Sequence, residues 1–282
     1  MRVAVVGARG QLGSALVARF ADRGDPVLPL RHADLDLVDP APGDRLPRPL
    51  DVVINAAAWT DVDGCARDPD RADAINGVGA GTVALAAARA GALSVQVSTN
   101  EVFDGLGSAP YEETDPPSPG NPYGRSKQLG EEATLAANPR ALVIRTAWLF
   151  GGERPGFPEK IRAAAERAVA AKQPLRIVSD EMGNPTPVPA LADRIVRLVD
   201  MAVSGHAPVG TYHVAGEPPI SRLAWARKIL SDMPDLVIEP IELREYERPS
   251  MVPPRAVLDM TRVHRLGIEP IPWREFAQIA SR

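Results

Sequence analysis

Residues 2–13 read Arg2-Val3-Ala4-Val5-Val6-Gly7-Ala8-Arg9-Gly10-Gln11-Leu12-Gly13, and this run decides the fold. Arg2 to Val6 is rich in β-branched apolar residues, suits a buried strand, and breaks on glycine. Beyond the break, Leu12, Leu16, Val17 and Phe20 fall on one face of a helix. A glycine turn between a strand and a helix is the setting that gives Gly-x-x-Gly-x-x-Gly a meaning. Gly7 would allow the tight turn, Gly10 the close approach of a pyrophosphate, and Gly13 the close packing of helix on sheet. The phosphates would lie at the helix N-terminus, among N–H groups with no partner in the helix. A purely structural turn could carry the same spacing, but in this position it predicts a dinucleotide site.

Working outward, a second strand at Pro26 to Leu30 ends without the acidic residue that often holds an adenosine ribose. Arg31 and His32 follow instead. A cation there suits a 2′-phosphate and favours NADP(H) over NAD(H), although a solvated loop would also account for it. Asp36 and Leu37 suit an adenine edge. Asp51 to Asn55 makes a third strand, and Ala56, Ala57 and Ala58 after it are small enough for a cofactor to pass closely. Arg71 to Ala90 is an Ala-rich helix, and Leu93 to Val97 a fourth strand. Ligands in open parallel sheets bind beyond the carboxyl ends of strands, so Thr99 is well placed to polarise a reacting carbonyl.

The second informative stretch is Asn121-Pro122-Tyr123-Gly124-Arg125-Ser126-Lys127. Pro122 suits the first turn of a helix, and positions i and i+4 then bring Tyr123 and Lys127 side by side. An adjacent ammonium favours the phenolate, so the pair is expected to lower the phenol's pKa and to act as general acid and base. Ala141 to Arg145 supplies a further strand. Alternating strands and helices predict an α/β fold, a Rossmann-type doubly wound parallel sheet.

With 282 residues and 45% apolar content, the chain has room for more than one simple core. Residues 1–150 are expected to form the dinucleotide-binding domain. Residues 151–282 would form a smaller, mixed α/β and mainly substrate-binding region, with some segments returning to pack on the first. In that region the pattern predicts helices over 158–171, 189–203, 221–231 and 273–280, with short strands at 175–178 and at Tyr212-His213. His213 reads as a packed or hydrogen-bonded structural residue. A net charge of −4 gives no sign of a nucleic-acid partner. The single cysteine, Cys65, excludes an internal disulfide framework and suits a reducing compartment. No leader-like segment and no apolar run of membrane-spanning length is present, so a soluble, cytoplasmic protein is expected, monomer or homodimer. The four histidines have no metal-site spacing, and no metal is expected.

Taken together, these motifs resemble the extended short-chain dehydrogenase/reductase superfamily and, more narrowly, the dTDP-4-dehydrorhamnose reductases. The likeness runs through Gly7 to Gly13, Ile54 to Asp63, Ser98-Thr99, Val102-Phe103-Asp104-Gly105 and Tyr123 to Lys127. It continues through Arg145-Thr146-Ala147-Trp148, Gly183-Asn184-Pro185-Thr186, Val257-Leu258-Asp259 and Pro272 to Glu275. It implies that Gly10, Gln11 and Leu12 line the pyrophosphate, Asp36 and Leu37 the adenine, and Ala58, Trp59 and Thr60 the middle of the cofactor. Lys127 would hold the nicotinamide ribose, while Tyr123 protonates O4 of a 4-keto sugar and Thr99 polarises its carbonyl. Thr60, Val62, Asn100, Glu101 and Trp148 would border the hexose. The nucleotide end would be held from the loop containing Asn184 and by Arg255.

Two departures from the resemblance stand out. Ser98-Thr99-Asn100-Glu101 replaces the usual Ser-Thr-Asp-Tyr and is similar instead to the Thr-Asp-Glu of nucleotide-sugar 4,6-dehydratases. Asn100 cannot donate a proton as a carboxylic acid does. Glu101 could serve as a base next to the sugar carbonyl or bond a sugar hydroxyl. Pro254-Arg255-Ala256 also departs from the usual asparagine and serine, and Ala15 stands where some relatives carry an acidic residue tied to a metal-dependent dimer contact. The alternatives to a keto-sugar reductase are a nucleotide-sugar epimerase or dehydratase, and a non-catalytic nucleotide-binding regulatory subunit.

Overall fold

Val3–Val6 (β1) is buried along its whole length and runs into the glycine turn, after which Gln11–Asp22 forms α1. The computed structural model describes residues 1–38, 46 and 49–275. Val27–Leu30 (β2) and Val52–Asn55 (β3) pair in parallel on the two sides of β1. Val62–Arg67 (α2), Pro69–Ala72 (α3) and Gly79–Arg89 (α4) lead to Leu93–Thr99 (β4). Pro122–Ala137 (α5) and Ala141–Thr146 (β5) follow. The next elements are Leu149–Phe150 (β6), Phe157–Ala171 (α6), Leu175–Val178 (β7), Met182–Gly183 (β8), Thr186–Pro187 (β9) and Val188–Val203 (α7). Gly210–His213 (β10), Gly216–Glu217 (β11), Ile220–Ser221 (β12), Arg222–Ile229 (α8), Ile238–Ile241 (β13), Thr261–Arg265 (α9) and Ile271–Pro272 (β14) complete them.

The main sheet is parallel and has the order β10-β5-β4-β3-β1-β2. The order in which strands are added reverses at β1, with β2 on one side and β3 on the other, and the crevice beyond the carboxyl ends of β1 and β3 is where an open α/β sheet takes a ligand. β1 and β3 are near-continuous apolar runs because both faces are covered. On one face α1 and α7 meet, burying Leu12, Leu16 and Phe20 with Leu191, Ile195, Leu198 and Val199. Each such side chain contributes about 1.5–3 kcal/mol by leaving water. The other face is covered by α4 and α5, where Val83, Ala86 and Ala87 pack on Ala4, Val6 and Val53.

The helix expected over residues 71–90 is not one regular helix. Between α3 and α4, Asp73–Val78 forms a π-helical turn. Its cause is visible at Asn76, whose side chain turns inward to accept from the Trp59 N–H at 2.8 Å and donate to the Ser126 hydroxyl at 3.0 Å. Such bulges often accompany functional sites. Residues beyond 150 divide. β10 extends the main sheet beside β5 and α7 covers α1, so residues 188–213 build the same layers as residues 1–146. The others form small strand pairs, β6 with β9, β7 with β13, β8 with β12 and β11 with β14. These surround an aromatic cluster of Phe150, Trp225 and Trp273. Of the helix expected over 273–280, residues 276–280 lie outside the described residues.

Candidate active site

Gly7 adopts φ 79°, and a Cβ there would sit 2.7 Å from the Ala57 nitrogen, so only glycine serves at this turn. A Cβ at Gly13 would run into the Gly7 carbonyl, which lets α1 start hard against the turn. No side chain caps α1 at Gly10, leaving its first turn open toward a cavity of about 680 Å³. Gly7, Gly10, Asp36, Leu37, Ala57 and Trp59 are among the residues lining that cavity. Arg9, Arg31, Arg71 and Arg154 give it a cationic rim, with His32 beside them. Arg31 is not a loose cation. It is tied to Asp34 at 2.8 Å, and that pairing holds the Asp34 carboxyl down at about 2.

A second cavity, of about 460 Å³, adjoins the first and shares Gly10, Ala56, Ala58 and Arg154 with it. Gln11, Leu12, Thr60, Val62, Thr99, Asn100, Glu101, Tyr123, Lys127 and Trp148 all line it. β4 ends at Thr99, in register with Thr146 on β5, so the strand ends supply one wall. α5 supplies the other. Asn121 caps it by accepting from the Gly124 N–H at 2.8 Å, and Pro122 occupies its first turn. Gly124 is required because a Cβ there would strike the Glu101 carbonyl, so α5 lies directly on the segment after β4. That contact brings Tyr123 to Thr99 and Glu101.

The electrostatics reverse one expectation. Burial, and then the Glu101 charge, push the Tyr123 phenol above its ordinary value of 10, against a hydrogen bond with Thr99. Lys127 does not lower it. The Lys127 ammonium donates instead to the Val97 carbonyl at 2.7 Å, and burial pulls its pKa down to about 8, opposed by Glu131. Glu101 is pushed up to about 7 by burial, although a 2.8 Å hydrogen bond from the Asn121 amide favours its charged form. Thr99 accepts from the Glu101 N–H at 3.2 Å, and the Asn100 amide donates to the Ala256 carbonyl at 2.9 Å.

Among the described residues, three on the wall of the second cavity hold buried oxygens with no partner, Gln11 Oε1, Ser98 Oγ and Thr146 Oγ1. Orphaned polar atoms are rare in a finished interior and mark where a polar ligand would complete the wall. The open helix start, the cationic rim and these orphans fit a nicotinamide dinucleotide spanning both cavities. Trp148 has φ 44°, an uncommon backbone for a bulky residue. It is held there by a ring stack on Trp225 at 5.8 Å and by the Arg222 guanidinium 3.5 Å from its ring centre. Glu181 pairs with that arginine.

Two expected residues are not brought to the site. Asn184 is fully buried with its amide committed, donating to the Gly216 carbonyl at 2.9 Å and accepting from the Leu258 N–H at 3.0 Å. Arg255 lines neither cavity; its backbone bridges Met182 and its Nε is buried without a partner. His213 is buried, as read from the sequence, and its pKa is driven down to about 3 by burial and by Arg145. Sequence reasoning missed Arg154, Ser98 and Thr146 as wall residues. Ser98 and Thr146 were signalled by their place at strand ends; Arg154 carried no signal.

The family model described as RmlD substrate binding domain matches residues 1–280. A dTDP-4-dehydrorhamnose reductase of Mycobacterium tuberculosis is 38% identical over 281 residues, covering 97% of this chain and 90% of that protein. The crystal structure of a dTDP-4-dehydrorhamnose reductase from Clostridium acetobutylicum superposes with a TM-score of 0.90 at 30% identity, covering 98% of this chain and 96% of the other. That of the Bacillus anthracis reductase in complex with NADP superposes with a TM-score of 0.87 at 28% identity, covering 98% and 97%.

Proposed function

The chain belongs to the RmlD substrate binding domain family, and from that premise we propose that it reduces the C4 keto group of a dTDP-4-keto-6-deoxyhexose. The expected reaction is dTDP-4-dehydro-L-rhamnose to dTDP-L-rhamnose, or a close analogue. The observation that carries this reading is the meeting of Thr99, Tyr123 and Lys127 on the wall of a cavity continuous with the glycine-turn cavity. The enzyme uses a nicotinamide cofactor, which when bound supplies the hydride that C4 receives. The protein's own residues manage the proton. Tyr123 is held protonated well above neutral pH, the correct state for a donor to O4 as negative charge develops there. Thr99, in hydrogen-bonding reach of Tyr123, fixes the carbonyl oxygen between two hydroxyls. Lys127 lies one helical turn away with its ammonium anchored on the Val97 carbonyl, where it would hold the nicotinamide ribose rather than tune the phenol.

Arg9 and Arg31 on the rim support NADP(H) over NAD(H), because a 2′-phosphate adds charge where these guanidinium groups gather. The test follows cofactor absorbance with dTDP-4-keto-L-rhamnose generated in situ, comparing NADPH with NADH. Rapid oxidation with dTDP-rhamnose formed supports the reading; no oxidation despite bound NADPH would turn attention to another keto sugar. Tyr123→Phe should cut turnover by about 10²- to 10⁴-fold and leave NADPH affinity nearly intact. A variant with full activity would sink the mechanism.

Glu101 favours a second reading, proton abstraction next to the sugar carbonyl, since it lines the cavity with a pKa near 7. Asn100 opposes the dehydratase form because an amide is no proton donor to a leaving hydroxyl. Solvent deuterium entering the sugar without reduction, and lost in Glu101→Gln, would establish that activity.

A further inference from the structure

The two cavities share Gly10, Ala56, Ala58 and Arg154. A ligand that fills both must pass this seam. A dinucleotide carries one nucleoside at each end and its diphosphate in the middle, so the diphosphate falls at the seam. One side of the seam is the uncapped start of α1 at Gly10. The other is Arg154, on the loop between β6 and α6, among the described residues the only charged side chain the two cavities share.

That loop is shaped to reach across. Gly151 has φ 72° and turns the chain after β6, and Gly152 lies so close to Gln11 that a Cβ there would be 3.0 Å from the Gln11 Cβ. Gln11 is the residue whose buried Oε1 lacks a partner. Among the described residues Arg154 makes no ion pair or hydrogen bond, whereas Arg31 on the same rim is held by Asp34 and Arg71 lies over the Trp59 ring at 4.8 Å.

We propose that Arg154 is a binding residue that closes over the cofactor diphosphate, opposite the N-terminus of α1. The inference rests on the reading of the cavities as a dinucleotide site. A guanidinium can pair two donors with diphosphate oxygens, an arrangement lysine reproduces only as a point charge. Closing on the cofactor at the seam also walls off the first cavity from the second, so the sugar would meet a cavity already shaped by bound cofactor.

The experiment is a fluorescence titration of the intact protein with NADPH, without sugar, for wild type, Arg154→Gln and Arg154→Lys. Loss of a charge-assisted contact should raise the Kd by about 10- to 100-fold in Arg154→Gln, with a smaller rise in Arg154→Lys. The dependence of Kd on salt should flatten in the glutamine variant, because one cation has left the site. A Kd within about twofold of wild type in both variants would overturn the proposal. So would an unchanged Kd for NADPH beside a raised KM for the sugar nucleotide, which would give Arg154 to the substrate's diphosphate. If Arg154→Gln fails to fold, the lysine variant decides: binding weakened severalfold upholds the clamp and unchanged binding rejects it. The outcome is separable from the substrate reading. A wild type that binds NADPH through Arg154 yet reduces no dTDP-4-keto sugar would refute that reading alone.

Discussion

Glu101 is a half-buried residue whose carboxyl stands in a cavity wall, with the Asn121 amide bonded to it. Its pKa stands raised, from 4.5 to about 7, mainly because burial disfavours the charge. A raised folded-state pKa means that the native protein holds the proton more tightly than the unfolded chain. The associated stability is fully present below about pH 4.5 and is lost as pH rises to about 7. The shift corresponds to on the order of 3 kcal/mol. Glu101→Gln removes the titration while keeping the shape. Urea unfolding of both proteins at about pH 4 and about pH 8 should therefore show the wild type losing stability relative to the variant across that window. Parallel behaviour at both pH values would mean that Glu101 titrates normally. Tyr123, Lys127 and Thr99 were legible because their chemistry sits in short motifs at fixed spacing. The direction of the Tyr123 shift was not. A neighbouring ammonium can be read from i and i+4, but the burial of the phenol and the inward turn of Glu101 come from how α5 lies on the end of β4.

At the scale of elements, the turn that carries Gly183-Asn184-Pro185-Thr186 changes meaning between sequence and structure. Its polar residues suggest a nucleotide contact, yet they brace the chain. Asn184 links Gly216 to Leu258, and the Thr186 hydroxyl accepts from the Gly216 N–H at 3.0 Å. Gly183, at the end of β8, is needed because a Cβ there would strike the Trp148 indole. Trp148 already adopts φ 44°, which costs on the order of 1–3 kcal/mol and persists only where its surroundings enforce it. Gly183→Ala should therefore push the indole off its stack with Trp225 and move the wall of the second cavity. The expected result is a rise of about 10-fold or more in KM for the sugar nucleotide, with a smaller loss of NADPH affinity, since Trp148 lines the second cavity and not the first, which takes the other half of the cofactor. Equal losses for both ligands would mean that the substitution unsettles the whole fold. The glycine was visible in the sequence; the ring it makes room for comes from a residue 35 positions earlier, and no local pattern reports that contact.

Across the whole molecule, the strand order makes residues 1–150 an incomplete layer system. β5 would become an edge strand without β10, exposing the backbone that Gly210–His213 now pairs. The outer surface of α1 would lose α7, whose Leu191, Ile195, Leu198 and Val199 are fully shielded in the intact protein. Buried polar ties cross the same boundary. Arg145 on β5 pairs with Glu131 on α5 at 2.7 Å and reaches His213 on β10 at 3.4 Å. The regular alternation of strands and helices made the first half readable as a parallel sheet, but β10 is four residues long and pairs with residues 68 positions earlier. Its pairing is a long-range fact. We expect a chain ending at residue 150 to aggregate or remain partly folded, with no cooperative thermal transition by circular dichroism. The intact protein should instead unfold so that tryptophan fluorescence and circular dichroism trace one coincident urea transition, because β10 pairs with β5 and α7 packs on α1, so segments from beyond residue 150 complete the layers of the first half. A monomeric 1–150 fragment that melts cooperatively and binds NADPH would refute this account and make the first half a domain in its own right.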